Sequence, residues 1–444
     1  MGARMRAPAT RGRGFDSEIG RVLSGAFPTD WLWAKARETG VVERVREVNP
    51  VVLFWTLVLG FGVNAQRSIA SLHRRYEEGA GRTVAYSSFY DRFSPELVSF
   101  MHEAVKHGLE YLSGTATSRR LKDSYARFQD LLIQDSTILR LHEALAKKWP
   151  AARSRKVAAG VKVATVISVA QGGPTTVKLM GERTSDVRTL RVGPWVKGRV
   201  LLVDLGYFKY GIFDRIDAYE GFFVSRVKEN ADPTVTRLLR VVRGRSVPVE
   251  SERLRDVLPR LRREVLDAEV EVTFRHREYR GSTSRAKRSF RLIAILNEET
   301  RGYHTYLTNI PGDVLTAEEI GALYRARWEV ELVFKELKSA YALDELGIKN
   351  ARAVEALVWT AILTLITSRL LHRAATRLSG AEEIVRFTHL RWARVFREQA
   401  PGILNDILRY EGIENIARER LVLMTWVAKD PNRSRTRLLD PFRE

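Results

Sequence analysis

The stretch Tyr324-Arg-Ala-Arg-Trp-Glu-Val-Glu-Leu-Val-Phe-Lys-Glu-Leu-Lys338 decides how the chain is read. Thr316 stands before it as a helix N-cap, with Glu318 and Glu319 in the first turn. No glycine or proline interrupts Tyr324–Lys338, so the pattern predicts that the helix opened at Thr316 runs on through Lys338. At about 100° per residue, Tyr324, Arg327, Glu331 and Lys338 fall within an arc of roughly 60°. Ala326, Val330, Val333, Phe334, Leu337 and Tyr341 form an apolar arc beside it. Arg325, Glu329 and Glu336 occupy a third face with the character of a solvated one. A surface helix laced with i,i+4 ion pairs carries similar residues. It has no need to gather a phenol, a guanidinium, a carboxylate and an ammonium on one narrow strip.

The spacing Tyr-x2-Arg-x3-Glu-x6-Lys resembles the signature of the DDE transposases of bacterial insertion sequences, specifically the insertion-sequence-four family. The resemblance implies an RNase H-like core and two further aspartates upstream at strand ends. Asp135 and Asp204 fit: each closes an apolar run, Leu131-Leu-Ile-Gln-Asp135 and Val200-Leu-Leu-Val-Asp204. On neighbouring strands the two carboxylates stand side by side, and Glu331 can reach them from its helix. An aspartate after a strand is more commonly a turn or N-cap residue; the pairing with the downstream signature reverses that reading here. Asp130, Asp214 and Asp217 are set aside, the first as mid-strand and the others as on or just after a helix. Three hard oxygen donors suit Mg²⁺ or Mn²⁺, and two such ions suit phosphodiester displacement. Asp135, Asp204 and Glu331 are therefore assigned as metal ligands and catalytic residues.

The resemblance also gives the basic partners their roles. Tyr324, Arg327 and Lys338 are expected to hold the DNA backbone at a cleaved element end. Arg226, in Ser225-Arg226-Val-Lys228, matches the family's Ser-Arg element after the second aspartate and is assigned to phosphate contact. Lys335 is either a further contact or a solvated lysine. Some members stack a flipped base on a tryptophan of a β-rich insertion. This chain has none between Trp195 and Trp328, so base flipping is not carried over; Phe274, Tyr279, Phe290 and Tyr303 suit a core.

Composition agrees with a nucleic-acid partner. The 444 residues carry a formal charge of +21 and contain no cysteine. A basic excess of that size favours polyanions. Without cysteine there are no disulfides or thiolate metal sites, in keeping with a reducing cytoplasm. The histidines show no zinc spacing; His142-Glu143 reads as a helix surface. Val51–Gly62 and Ala356–Thr367 are apolar runs of only about a dozen residues, where ~20 are needed to span a bilayer. No membrane partner is expected, nor a secretory leader.

The fold class expected is α/β: an RNase H-like mixed-sheet core interrupted by a β-rich insertion, with helical regions at both ends. Residues 1–118 read as a helical DNA-binding domain, 1–15 of it disordered, with a helix-turn-helix-like order in Ala65–Phe93. Residues 119–228 hold the first part of the core with strands at Phe128–Gln134, Ala159–Ala170, Thr175–Met180, Arg199–Val203 and Gly221–Val227. Residues 229–303 are the insertion, 304–378 the second part of the core, and 379–444 a helical C-terminal region. The resemblance implies cut-and-paste transposition: hydrolysis at element ends, then attack of the freed 3′-hydroxyl on target DNA. The partners are double-stranded DNA, as terminal inverted repeats and target, and a second copy of the chain in a synaptic homodimer. Two alternatives stand beside it, a related endonuclease without strand transfer and a DNA-binding protein whose catalytic centre is spent.

Overall fold

Five apolar segments of residues 130–226 build the sheet on which the acidic residues sit. They were located in a computed structural model that describes residues 16–42, 48–63, 68–114, 121–152, 158–240, 249–275, 284–341, 343, 346–378, 388–409, 418–429 and 442. The strands are β1 (Asp130–Leu141), β2 (Ala159–Ser168), β3 (Gly173–Gly181), β4 (Arg199–Val203) and β5 (Phe222–Arg226). β1, β2 and β3 form an antiparallel meander, while β4 and β5 run parallel to β1, giving the order β3-β2-β1-β4-β5. Every residue of β2 is buried, Lys162 and Thr165 included, as is the apolar run Val200–Val203 of β4. This is the RNase H-like arrangement expected.

The insertion does not form a sheet of its own. β6 (Thr234–Leu238), β7 (Val265–Arg275), β8 (Arg285–Leu296) and β9 (Tyr303–Thr308) continue the core sheet through β9 pairing antiparallel with β5, to make nine strands. Buried Phe290 joins Phe213 and Phe223 in one cluster beneath it, and Phe274 packs at its margin. β6 lies in a segment that shows only arginine enrichment in the sequence.

Two departures from expectation bear on the site. β1 runs well past Asp135, which pairs with Thr165 of β2 in mid-strand. What ends there is its pairing with β4, whose last registered pair is Gln134 with Val203. The predicted single helix is two, Ala317–Arg325 and Trp328–Ser339. Thr316 and Glu319 form the capping box at its start. At the break, Ala326, Arg327, Glu329 and Val330 donate to carbonyls three residues back rather than four, a tightened 3₁₀-type turn made without glycine or proline.

The described residues cluster as two units. One is Ala116–Phe334 with Thr436–Glu444, carrying the sheet; the other is Met1–Thr115 with Lys335–Arg435, which is helical. In the helical unit, Asn49 caps the Pro50–Thr56 helix by accepting from Val51 N and Val52 N. A π-helical turn, Leu57–Phe61, follows and packs on Ala351–Leu378, as does Pro95–Gly114. The contact is close: a Cβ on Gly62 would meet Thr364 Oγ1 and the Val58 carbonyl. The apolar run at 356–367 belongs to a longer helix than its own length suggests. Ala351–Arg377 is long and apolar enough to cross a bilayer, but it is almost wholly buried inside the protein, as a core helix is. Glu336, expected on the solvated face, is fully buried. The N-terminal stretch read as disordered, the tail from Asp430 apart from Phe442, and parts of the loop at 280–287 and of the expected helices at 381–398 and 413–428 lie outside the described residues.

Candidate active site

Extending the β1–β4 register by one residue past Gln134 and Val203 sets Asp135 beside Asp204. The sheet opens at that point: β1 continues against β2, while β4 ends and Leu205–Tyr207 turns away as a 3₁₀ turn. Chain divergence at the carboxyl end of parallel strands makes the crevice where α/β sheets hold ligands.

Glu331 comes to the same place on the first turn of the Trp328–Ser339 helix. The link is Arg327. Its Nη1 donates to Asp135 Oδ2 at 3.0 Å and its Nη2 donates to Glu331 Oε1 at 3.0 Å. Arg327 is 10% exposed, Asp135 16% and Glu331 43%, so the bridge runs from a buried base to a half-open rim. Ser136 N donates to the other Asp135 oxygen at 2.7 Å. Burial pushes the Asp135 carboxyl up to about 6; the charges of Asp204 and Glu331 add to that, and Ser136 N–H and Arg327 oppose it.

Tyr324 is buried. Its hydroxyl donates to the Val203 carbonyl at 3.4 Å and its ring lies 5.3 Å from that of Tyr306. Burial raises the phenol well above its usual range. The break in the helix takes Tyr324 off the strip that a single helix would have given it and sets it against the end of β4. Arg226 closes β5, opposite Tyr306, and is exposed. Its charge is near enough to act on both Tyr306 and Tyr324. Lys338 lies on the Glu331 helix about two turns further on, half-buried, and Lys335 is exposed. Trp328, which the sequence reading left without a role, is 55% exposed, with the Arg327 guanidinium carbon 5.7 Å from its ring. Asp130 opens β1 instead of lying within it, and its carboxylate is used internally by Ser168 Oγ and Ala170 N.

The donor set suits a hard divalent cation: three carboxylates, one of them driven toward its protonated form by burial and its neighbours. The spacing is not yet that of a shared ion. Among the described residues, no three acidic or histidine side chains close on a single point. Asp135 and Glu331 are bonded to different nitrogens of one guanidinium, so Arg327 takes the cation's place between them.

Comparison with known proteins shows the family to which these residues belong. A family model described as the transposase DDE domain matches residues 126–367, more than half of the chain and all of the residues above. The transposase for insertion sequence element IS231B of Bacillus thuringiensis subsp. berliner is 23% identical over 369 residues, 74% of this chain and 73% of its own. That of IS231D from Bacillus thuringiensis subsp. finitimus is 24% identical over 343 residues, 70% of each chain. That of IS1151 from Clostridium perfringens is 22% identical over 304 residues, 62% of this chain and 64% of its own.

Proposed function

Because this chain belongs to the transposase DDE-domain family and is a DNA transposase, we propose that it works by cut-and-paste. Its partner is DNA, and the family uses divalent metal ions. The observation that supports this reading is the placement of Asp135 and Asp204 each one residue past the last registered pair of the β1–β4 ladder, with Glu331 joined to Asp135 through Arg327.

In this reading Asp135, Asp204 and Glu331 hold two divalent ions, Mg²⁺ or Mn²⁺. Such ions, when bound, lower the pKa of the attacking water or 3′-hydroxyl and stabilise the leaving oxygen. The three acids serve as ligands and not as nucleophiles. With its carboxyl at about 6, Asp135 is ionised near neutral pH and is available as a donor. Arg327 gives up Glu331 and turns its fork to a DNA phosphate, which planar guanidinium geometry suits. Tyr324 sets the end of β4 from behind and carries the base of Arg327. Arg226 and Lys338 add backbone contacts to the same strand. The helices of residues 69–93 supply base contacts at the element ends, and the functional unit is a homodimer.

The test is a joining assay. A duplex bearing the element end is mixed with supercoiled target plasmid and Mg²⁺. Cleaved ends covalently joined to target support cut-and-paste; cleavage with no joined product supports an endonuclease instead.

A further inference from the structure

The short turn Asp186–Thr189 touches the chain on both sides of the acidic pair. Asp186 Oδ1 accepts from Ser136 Oγ at 2.8 Å and from Lys162 Nζ at 2.7 Å. Ser136 is the residue whose N–H holds the Asp135 carboxylate. The other oxygen of Asp186 lies against the backbone after Asp204: a Cβ on Gly206 would stand 2.6 Å from Asp186 Oδ2. Thr189 Oγ1 donates to the Asp186 carbonyl at 2.7 Å and lies 3.3 Å from the Tyr207 hydroxyl. Gln134 Nε2 donates to that same hydroxyl at 3.1 Å. Gln134 and Ser136 bracket Asp135, and Gly206 and Tyr207 follow Asp204. One turn therefore grips the flanks of both aspartates.

Lys162 anchors the grip from β2. It is 7% exposed and donates to the Thr184 carbonyl at 2.7 Å as well as to Asp186. A buried ammonium needs its counter-charge. Without the Asp186 carboxylate, the buried Lys162 ammonium would lose that counter-charge one hydrogen bond away from Ser136.

We propose that Asp186 is a positioning residue, which with Lys162 holds the backbone flanking Asp135 and Asp204 in place so that the two carboxylates can serve one divalent site. It acts through Ser136 and Gly206 and does not itself touch the reacting atoms. The inference rests on the metal-site reading above. Residues that orient ligands in this way are typically worth roughly 10–100-fold in metal affinity or activity.

The experiment is calorimetric titration of Mn²⁺ into the full chain, for wild type, Asp186→Asn, Ser136→Ala and Asp135→Asn, with melting temperatures recorded beside it. Asp186→Asn is expected to weaken Mn²⁺ binding about tenfold and to shift the Mg²⁺ dependence of cleavage to higher concentration, saturating Mg²⁺ restoring most of the rate. Ser136→Ala should move affinity in the same direction while leaving the fold intact, so it decides the matter if Asp186→Asn does not fold. A purely structural role would lower the melting temperature without moving the Mn²⁺ affinity of the folded protein, and that result overturns the inference. Wild-type affinity in Asp186→Asn or Ser136→Ala alongside lost affinity in Asp135→Asn overturns the inference alone. Wild-type affinity in Asp135→Asn as well overturns the metal site beneath it.

Discussion

Arg327 donates a hydrogen bond at 3.0 Å to Asp135, a residue 192 positions earlier in the chain. A guanidinium that spans two carboxylates is poised to exchange them for another pair of anionic oxygens, and the two non-bridging oxygens of a DNA phosphate supply those. If Arg327 contacts phosphate in the complex, Arg327→Ala removes about one phosphate contact, and the slope of log K against log salt becomes shallower by about 0.9. The affinity loss is then largest at low salt. DNA binding measured across a salt series reads this directly. An unchanged slope would confine Arg327 to bridging Asp135 and Glu331. Arg327→Lys should recover little, because a point ammonium cannot serve both partners as the fork does.

The raised Asp135 carboxyl gives the metal-free protein a definite pH dependence. Its value is about 6 in the fold against an ordinary 3.8, so the ionised form is the one penalised. The stabilising effect of holding the proton is complete below the unfolded value and is lost as pH climbs through about 6. At about 1.4 kcal/mol per unit, the difference is on the order of 3 kcal/mol. Divalent metal must displace that proton, so Mn²⁺ binding should strengthen between about pH 5 and 7, with proton release at the acid end. Calorimetry at two pH values in buffers of different ionisation enthalpy measures both. Metal affinity independent of pH over that range would contradict the assignment of Asp135 as a ligand.

Glu336 is fully buried, accepting from Tyr341 Oη at 3.0 Å and from Arg369 Nη2 at 2.5 Å. Burial raises its carboxyl, and the Arg369 charge and the Tyr341 hydroxyl oppose that. The pair ties the far half of the Glu331 helix to Ala351–Leu378. Removing one member strands the other charge in the interior, a loss of about 3–5 kcal/mol. Glu336→Leu should therefore be strongly destabilising in urea titration. The double variant Glu336→Leu with Arg369→Met should recover most of the loss. A single variant within about 1 kcal/mol of wild type would show that water reaches the pair.

The placement of Asp135 and Asp204 at the end of the β1–β4 pairing was legible because each follows a largely apolar run, as buried parallel strands require. That Glu331 lies on a helix and shares a partner with Asp135 was anticipated only from the fixed spacing Tyr-x2-Arg-x3-Glu, since the helix capped at Thr316 ends at Arg325. The break at Ala326–Arg327 was not, since the turn is made by residues of ordinary helical preference and is set by tertiary contacts of Tyr324 and Arg327. Glu336 was misplaced because periodicity groups it with Arg325 and Glu329, while the partner that allows its burial lies 33 residues away on another helix. Asp186 gave no distinct signal: Ser185-Asp186 is an ordinary helix opening, and its meaning comes from Ser136, Lys162 and Gly206, which only the fold assembles.

The central claim is that Asp135, Asp204 and Glu331 act together on bound DNA. The most direct measurement is strand cleavage of an element-end duplex by Glu331→Gln, run beside a binding assay on the same duplex. Glutamine keeps the size of the side chain and one oxygen while removing the charge. Binding close to wild type and no cleavage with Mg²⁺ or Mn²⁺ are expected. Cleavage at the wild-type rate by Glu331→Gln would contradict the claim.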